Sequence, residues 1–118
     1  MSKRNNKYQL KGRIWIEIGG QTFIGEGKAL LLKKTAELGS LLKASAELKM
    51  SYRQAWYRMD RMNKATKKPV MILKRGGKNG GIAQITEFGE VILKIFEKSQ
   101  KEFREFLKNQ TIILNTYT

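Results

Sequence analysis

The chemistry open to this chain depends on cations, amides and hydroxyls, because the chain contains no histidine and no cysteine. Without these residues it cannot form a thiolate or imidazole zinc site, nor a Ser–His or Cys–His nucleophilic pair. Its ten acidic residues show no obvious paired-carboxylate cluster. We therefore expect no catalytic residues, no metal site and no cofactor, and the sequence favours binding over catalysis.

Residues 51–64 carry the densest group of side chains that can recognise a ligand. On a helix with about 100° per residue, the apolar arc is typical of a core face and comprises Tyr52, Ala55, Trp56, Met59, Met62 and Asn63. The opposite arc comprises Arg53, Gln54, Tyr57, Arg58, Asp60, Arg61 and Lys64. Arginine and glutamine can form paired hydrogen bonds to guanine and adenine edges, and the major groove of DNA admits a helix. Taken alone, this arc is equally compatible with a solvated basic helix face.

A second basic segment reads KRGGKNGG at 74–81. Apolar strand signals flank it at 70–74 and 82–86, which favours the tip of a β-hairpin over a flexible linker. A phosphate-binding loop would lead from a strand into a helix and would contain a GxxxxGK[ST] pattern. This segment leads into a second strand and lacks that pattern. Glycine permits positive φ and close backbone approach, so the tip could meet phosphates or a minor groove. The expected contact residues are Lys74, Arg75, Lys78 and Asn79.

The positive charge of the chain is concentrated in one part of it. The formal net charge is +14, from 24 basic and 10 acidic residues. Residues 87–108 contain five acids and five bases, so the whole excess lies on 1–86. Such a localised excess implies a polyanionic partner, either nucleic acid or an anionic membrane, and a generally basic protein is the simpler alternative.

Few features of the sequence indicate where in the cell the protein is located. No apolar run approaches the ~18 residues that a membrane span needs, and the basic start lacks the apolar segment of a signal peptide. The absence of cysteine excludes a disulfide scaffold. We expect a cytoplasmic protein without a membrane partner.

Local signals predict the elements that hold the two basic segments. Alternating isoleucines at 14–18, the Gly19-Gly20 turn and residues 21–24 predict an N-terminal β-hairpin, followed by helices at 28–38 and 41–48. The capping box at 51–54 predicts a helix that begins at Tyr52 and ends near Lys64. Two short helices with a brief turn, followed by a hairpin, form a winged helix-turn-helix.

Thr86 is expected to cap a long helix at 87–108. Its apolar residues recur at three- and four-residue steps: Phe88, Ile92, Ile95, Phe103 and Phe106. This stripe is too long for a small core to cover alone, and the segment carries no net charge, so we expect a homodimer through these residues. The alternative is that the helix folds back along its own domain.

The predicted fold is α+β: a winged helix-turn-helix with an N-terminal β-hairpin and a long C-terminal dimerisation helix. Its expected divisions are a basic arm at 1–9, a DNA-binding domain at 10–86, the dimerisation helix at 87–108 and an unassigned tail at 109–118.

Several short motifs within about residues 12–96 are specific in combination: Gly39-Ser40, Ser51-Tyr52, Ala55-Trp56, Met62-Asn63, the glycines at 76–81, and Thr86 with Gly89. Over this range the chain resembles the N-terminal DNA-binding domain of the ModE family of molybdate-responsive regulators, which has a LysR-like winged helix. The resemblance implies a dimeric transcription regulator whose helix at 52–64 enters the major groove. Full-length relatives continue into molybdate-binding domains; this chain has none after its long helix, so molybdate sensing is not an expectation here.

The sequence thus predicts a sequence-specific regulator that binds double-stranded DNA. The residues expected in the major groove are Ser51, Arg53, Gln54, Tyr57 and Arg58. The residues expected at the backbone and wing are Arg61, Lys64, Lys74, Arg75, Lys78 and Asn79. The alternatives are a sequence-neutral architectural nucleic-acid-binding protein, a protein-interaction module that no longer touches DNA, and, with least support, a small enzyme.

Overall fold

The computed structural model describes residues 7–75 and 81–118, and over these ranges the chain is α+β, as predicted. The elements, in chain order, are β1 (Ile16–Ile18), β2 (Gln21–Ile24), α1 (Glu26–Leu38), α2 (Leu41–Glu47), α3 (Tyr52–Lys64), β3 (Met71–Lys74), β4 (Ile82–Ile85) and α4 (Glu87–Thr116). The strands form two separate antiparallel pairs, β1 with β2 and β3 with β4. Within the described ranges, no helix is both long enough and apolar enough to cross a membrane.

One core joins the three shorter helices, both hairpins and the first part of α4. Its largest fully buried apolar side chains are Phe23, Ile24, Leu31, Leu32, Met59, Met62, Val70, Met71 and Phe96. The predicted core arc of α3 is confirmed at Ala55, Met59 and Met62, which are buried. Because burying a side chain of this size contributes about 1.5–3 kcal/mol, this arc fixes which side of α3 faces solvent.

Side-chain caps begin three of the helices, and those at Ser51 and Thr86 were predicted. Ser40 Oγ accepts from the backbone N–H of Lys43 at 3.1 Å, and Ser51 Oγ accepts from that of Gln54 at 3.0 Å. Thr86 Oγ1 accepts from Gly89 N–H at 2.9 Å. Each cap satisfies a backbone donor that has no partner inside its helix, which stabilises the helix start by about 1 kcal/mol.

The N-terminal hairpin departs from simple alternation. The register shifts between Ile16 and Glu17, which leaves Phe23 without a paired residue on β1. The shift lets two consecutive residues, Phe23 and Ile24, both reach the core, since a bulge changes the side to which the strand points. Ile18, expected on the apolar face, is instead exposed at the end of the hairpin.

The expectation of an unassigned tail at 109–118 was wrong: α4 continues to Thr116 instead of ending near 108. Residues 109–116 contain neither glycine nor proline, so nothing in their sequence stops a helix. The arm expected at 1–9 also needs correction where it is described. Tyr8 N–H donates to Asn115 Oδ1 at 2.9 Å, and Asn115 Nδ2 donates back to the Tyr8 carbonyl at 3.0 Å. Residues 7–12 therefore lie along the last turns of α4.

The molecule is elongated because α4 extends beyond the core. Its extents are 64 × 32 × 22 Å and its radius of gyration is 18.5 Å. A compact domain of this length would have a radius of gyration of about 13–14 Å. The 30 residues of α4 span about 45 Å at 1.5 Å per residue. The C-terminal half of α4 thus forms a projection covered on one side by residues 7–12.

Candidate nucleic-acid interface

The exposed side of α3 presents most of the predicted recognition residues. Ser51, Arg53, Gln54, Tyr57, Arg61 and Lys64 are exposed, and Arg58 is half-buried. They share this side because Ala55, Met59 and Met62 anchor the opposite side in the core. These seven residues therefore form one continuous polar surface along α3, because a helix with about 3.6 residues per turn places them on the same side.

Two contacts within α3 hold cations of this surface in place. Arg61 Nη1 donates to Tyr57 Oη at 2.9 Å, and its guanidinium lies 5.6 Å from the centre of the Tyr57 ring. Lys64 Nζ lies 2.9 Å from Asp60 Oδ2 in an ion pair whose lysine is exposed and whose carboxylate is partly buried. Surface pairs of this kind contribute little net energy, so Lys64 can exchange Asp60 for a phosphate at small cost.

The hairpin of β3 and β4 stands beside α3. Its strands pair in an unbroken register from Met71 opposite Ile85 to Lys74 opposite Ile82. Gly81 has φ +94°, and a Cβ added there would collide with the Lys74 carbonyl, so only glycine fits this position. Lys74 and Arg75 are exposed on this hairpin, whereas Lys78 and Asn79 lie outside the described residues.

Asn63 fixes the position of the hairpin relative to α3. Its Oδ1 accepts from the backbone N–H groups of Val70 at 2.8 Å and Met71 at 3.1 Å. Its Nδ2 donates to the Met71 carbonyl at 2.9 Å. One amide therefore ties the last turn of α3 to the start of β3. The Val70 carbonyl accepts from the backbone N–H of Thr86, which also joins the segment before β3 to the start of α4.

A cleft of about 450 Å³ separates α3 from the hairpin, and it corrects one expectation. Tyr52 and Trp56, both on the predicted core arc, instead line this cleft and are 42% and 40% exposed. The cleft is lined by Leu41, Tyr52, Arg53, Trp56, Leu73, Lys74, Arg75, Ile82 and Ala83. In the helical projection Trp56 lies at the edge of the apolar arc. A side chain at this edge can contact both the core and the solvent-exposed cleft.

Lys28 of α1 is a residue of this surface that sequence reasoning missed. Partial burial, followed by the nearby charges of Arg61 and Arg58, lowers the pKa of its ammonium group. The three cations come from two helices, and Lys28 precedes Arg58 by 30 positions and Arg61 by 33 positions in the chain. No local pattern connects them, because the packing of α1 on α3 alone brings Lys28 to this place.

Comparison with known proteins finds similarity to ModE transcription regulators. It is 30% identical over 104 residues to the transcriptional regulator ModE of Haemophilus influenzae, a match that covers 86% of this chain and 41% of the relative. The chain is a homologue of the ModE regulators. It is also 28% identical over 97 residues to the molybdenum transport protein ModE of Azotobacter vinelandii, covering 82% of this chain and 36% of that one. No family model matches the chain.

A third ModE relative is the DNA-binding transcriptional dual regulator of Escherichia coli K12. It is 25% identical over 105 residues, which cover 86% of this chain and 40% of the relative. The chain therefore spans about two fifths of the length of these ModE proteins. The resemblance inferred from the motifs is confirmed.

Two motifs of the ModE resemblance have a structural explanation. Asn63 joins α3 to β3 as described above. Thr86 Oγ1 donates to the Pro69 carbonyl at 2.7 Å, and a Cβ at Gly89 would collide with the Val70 carbonyl. These residues set α4 tightly against the segment that precedes β3, so both motifs position the hairpin and the long helix.

The five residues expected in a dimer seam on α4 do not share one environment. Phe88 and Ile92 pack against the core of their own chain. Phe103 is half-buried beside Gly12, with its ring stacked 6.4 Å from that of Phe106. Ile95 and Phe106 are about half exposed.

Proposed function

We propose that this chain is a winged helix-turn-helix domain that binds double-stranded DNA in a sequence-specific way and regulates transcription. In this proposal α2 and α3 form the helix-turn-helix, α3 is the recognition helix, and β3 with β4 is the wing. The observation that carries it is the exposed polar face of α3 beside a basic hairpin, in a homologue of ModE regulators. The printed description of the E. coli relative as DNA-binding supports the same proposal.

The proposed docking follows from which side chains are exposed. α3 enters the major groove with Ser51, Arg53, Gln54, Tyr57 and Arg58 toward the base edges, where arginine and glutamine can pair with purines. Backbone contacts come from Arg61 and Lys64 on α3 and from Lys74 and Arg75 on the hairpin, and Lys78 and Asn79 belong to the same proposal. Phosphate contacts set the position of the protein, and base contacts set its preference.

We further propose that two chains pair through the exposed side of α4. With about 100° per residue, Val91, Ile95, Phe106 and Ile113 fall within about 60° of one another on the helix, and all four are exposed. Residues 87–108 carry no net charge, so two copies can approach here without the repulsion of the basic surface. Such a dimer would present two recognition helices to half-sites about 34 Å apart and favour a palindromic site.

The experiment that tests the proposed function is selection of bound duplexes from a random pool, followed by titration of the selected and random duplexes over a range of salt. We expect a preference of about 10³ or more for the selected site. The slope of log K against log salt should approach −0.9 times the number of phosphates neutralised, about 6–10 for a dimer. Arg53→Ala should lose roughly 1–3 kcal/mol on the selected site only.

Lys33→Ala is the matched control, since Lys33 is an exposed cation of α1 that pairs with Glu97 of α4 at 3.4 Å and is not one of the proposed contact residues. Binding that does not change with salt would refute the DNA proposal. Salt-dependent binding without preference, together with equal effects of Arg53→Ala on all duplexes, would favour the architectural protein that the net charge of +14 also suits.

A further inference from the structure

We propose that Lys28, Arg58 and Arg61 form a phosphate site on the flank of α3 opposite the hairpin, and that it holds a backbone phosphate of the second DNA strand. Arg58, which reaches the start of α1, would then contact this phosphate in place of a base edge. This inference rests on the proposed function. It adds Lys28 of α1 to the interface, a residue that neither the motifs nor the periodicity indicated.

The geometry begins with the first turn of α1. A Cβ added at Gly27 would lie 4.0 Å from Arg58 Nη1, so the Arg58 guanidinium reaches the start of α1. Lys28 is the next residue, half-buried, and the charges of both Arg61 and Arg58 act on it. Among the described residues, no salt bridge involves Lys28, Arg58 or Arg61. Three cations therefore converge without a carboxylate partner.

A cleft of about 270 Å³ adjoins this cluster. Its described lining residues are Ile18, Gln21, Thr22, Phe23, Lys28, Arg61, Lys64 and Ala65, and none of them is acidic. The lining thus combines two cations of the cluster, Lys28 and Arg61, and the neighbouring Lys64 with the amide of Gln21 and the hydroxyl of Thr22. All of these groups can donate hydrogen bonds to phosphate oxygens. Asp60 faces Lys64 in an ion pair and offers the only described carboxylate contact of these cations.

The electrostatics of the cluster favour an anion. Folding removes part of the hydration of Lys28, and its neighbours are also positive, so both effects destabilise the charged form of its ammonium group. A bound phosphate would offset this destabilisation and accept charge-assisted hydrogen bonds from Lys28, Arg58 and Arg61. A partly buried cation loses less hydration on binding than a fully exposed one, which strengthens the contact.

The position of the cluster points to DNA as the source of the phosphate. With Arg53 at zero on the helical projection and about 100° per residue, Arg61 and Arg58 lie near 80° and 140°, and Trp56 lies near 300° beside the hairpin cleft. The hairpin and the Lys28 cluster therefore flank α3 on opposite sides. A helix about 10–12 Å across fills a major groove about 12 Å wide, so each flank meets one of the two strands that border the groove.

The test compares Lys28→Gln with Lys33→Gln in the full chain. Lys33 is on the same helix but is exposed and paired with Glu97 at 3.4 Å. We expect Lys28→Gln to weaken binding on the order of tenfold, equally on selected and random duplexes, and to make the salt slope shallower by about one. Lys33→Gln should leave the slope unchanged, and Lys28→Arg should restore binding. Thermal melting of each variant checks that it is folded.

Single methylphosphonate substitutions along the duplex identify the phosphate. One substitution should weaken wild-type binding by the same factor and leave Lys28→Gln without further loss. Wild-type DNA binding with no effect of Lys28→Gln would overturn the phosphate site and leave the proposed function standing, whereas absence of DNA binding by the wild type would overturn both. Saturable binding of inorganic phosphate at submillimolar concentration, followed by NMR of Lys28, would assign the cluster to a free oxyanion and overturn the strand contact.

Discussion

Replacing Asn63 by alanine tests whether one side chain holds the recognition helix and the hairpin in register. The change removes the bonds that its Oδ1 accepts from Val70 and Met71 and the bond that its Nδ2 donates to Met71. The variant should therefore lose stability and also loosen the hairpin.

The expected magnitude follows from burial. Val70 and Met71 are 0% and 1% exposed, so the backbone groups left behind gain little contact with water. A buried donor or acceptor without a partner costs about 1–3 kcal/mol, and costs of adjacent groups do not add fully. We expect a total loss on the order of 2–4 kcal/mol, which corresponds to a fall in melting temperature of roughly 10–20 °C.

The assay is thermal and urea unfolding of Asn63→Ala beside Gln84→Ala, which removes an exposed amide on β4 of the same hairpin. Asn63→Asp keeps the two accepted bonds, loses the donated one and turns a charge toward the Met71 carbonyl, so it should fall between wild type and Asn63→Ala. Hydrogen exchange at the Val70 and Met71 amides should quicken in Asn63→Ala.

Melting of Asn63→Ala within about 2 °C of Gln84→Ala would refute the reasoning, because an effect that small corresponds to well under 1 kcal/mol. Loss of stability without faster exchange at Val70 and Met71 would also contradict it. In that case the amide would stabilise the chain without anchoring the hairpin.

The remaining predictions concern α4. Gly89→Ala should destabilise the fold by about 1–3 kcal/mol in urea unfolding, since its Cβ would collide with the Val70 carbonyl. The control is Ser99→Ala, at a half-buried position of the same helix, which should be nearly neutral. Equal effects of the two changes would contradict the packing argument. Ile95→Glu with Phe106→Glu should yield folded monomers in sedimentation that bind DNA far more weakly, because both side chains are exposed and both changes place charge in the proposed seam. A wild-type chain that sediments as a monomer at tens of micromolar would rule out the dimer.

Several parts of this structure could be predicted because their causes are local. The start of α3 depends on Ser51 and Gln54, three residues apart, and the start of α4 on Thr86 and Gly89. Hydroxyl caps act over such distances in any fold, and apolar residues at helical spacing require a core wherever that core lies. The solvent-facing side of α3, with Arg53, Gln54 and Tyr57, followed from the same pattern.

The surroundings of residues at the borders of elements could not be predicted in this way. Trp56 stands at the edge of the apolar arc, and only the distance between α3 and the hairpin decides whether it is buried or lines a cleft. The continuation of α4 beyond residue 108 could not be predicted either. The helix propensity of these residues permits it, and the hydrogen bonds between Asn115 and Tyr8 join this part of α4 to the N-terminal segment.

The sequence by itself determined the element order, the helix caps, the basic excess on residues 1–86 and the polar face of α3. Tertiary structure alone decided that Lys28 lies beside Arg58 and Arg61, that Asn63 anchors β3, and that α4 leaves Ile95 exposed while Phe96 is buried. The physical reason is the range of the interactions. Caps and periodicity act within one or two turns of a helix, whereas side chains distant in sequence meet only when packing brings their elements together.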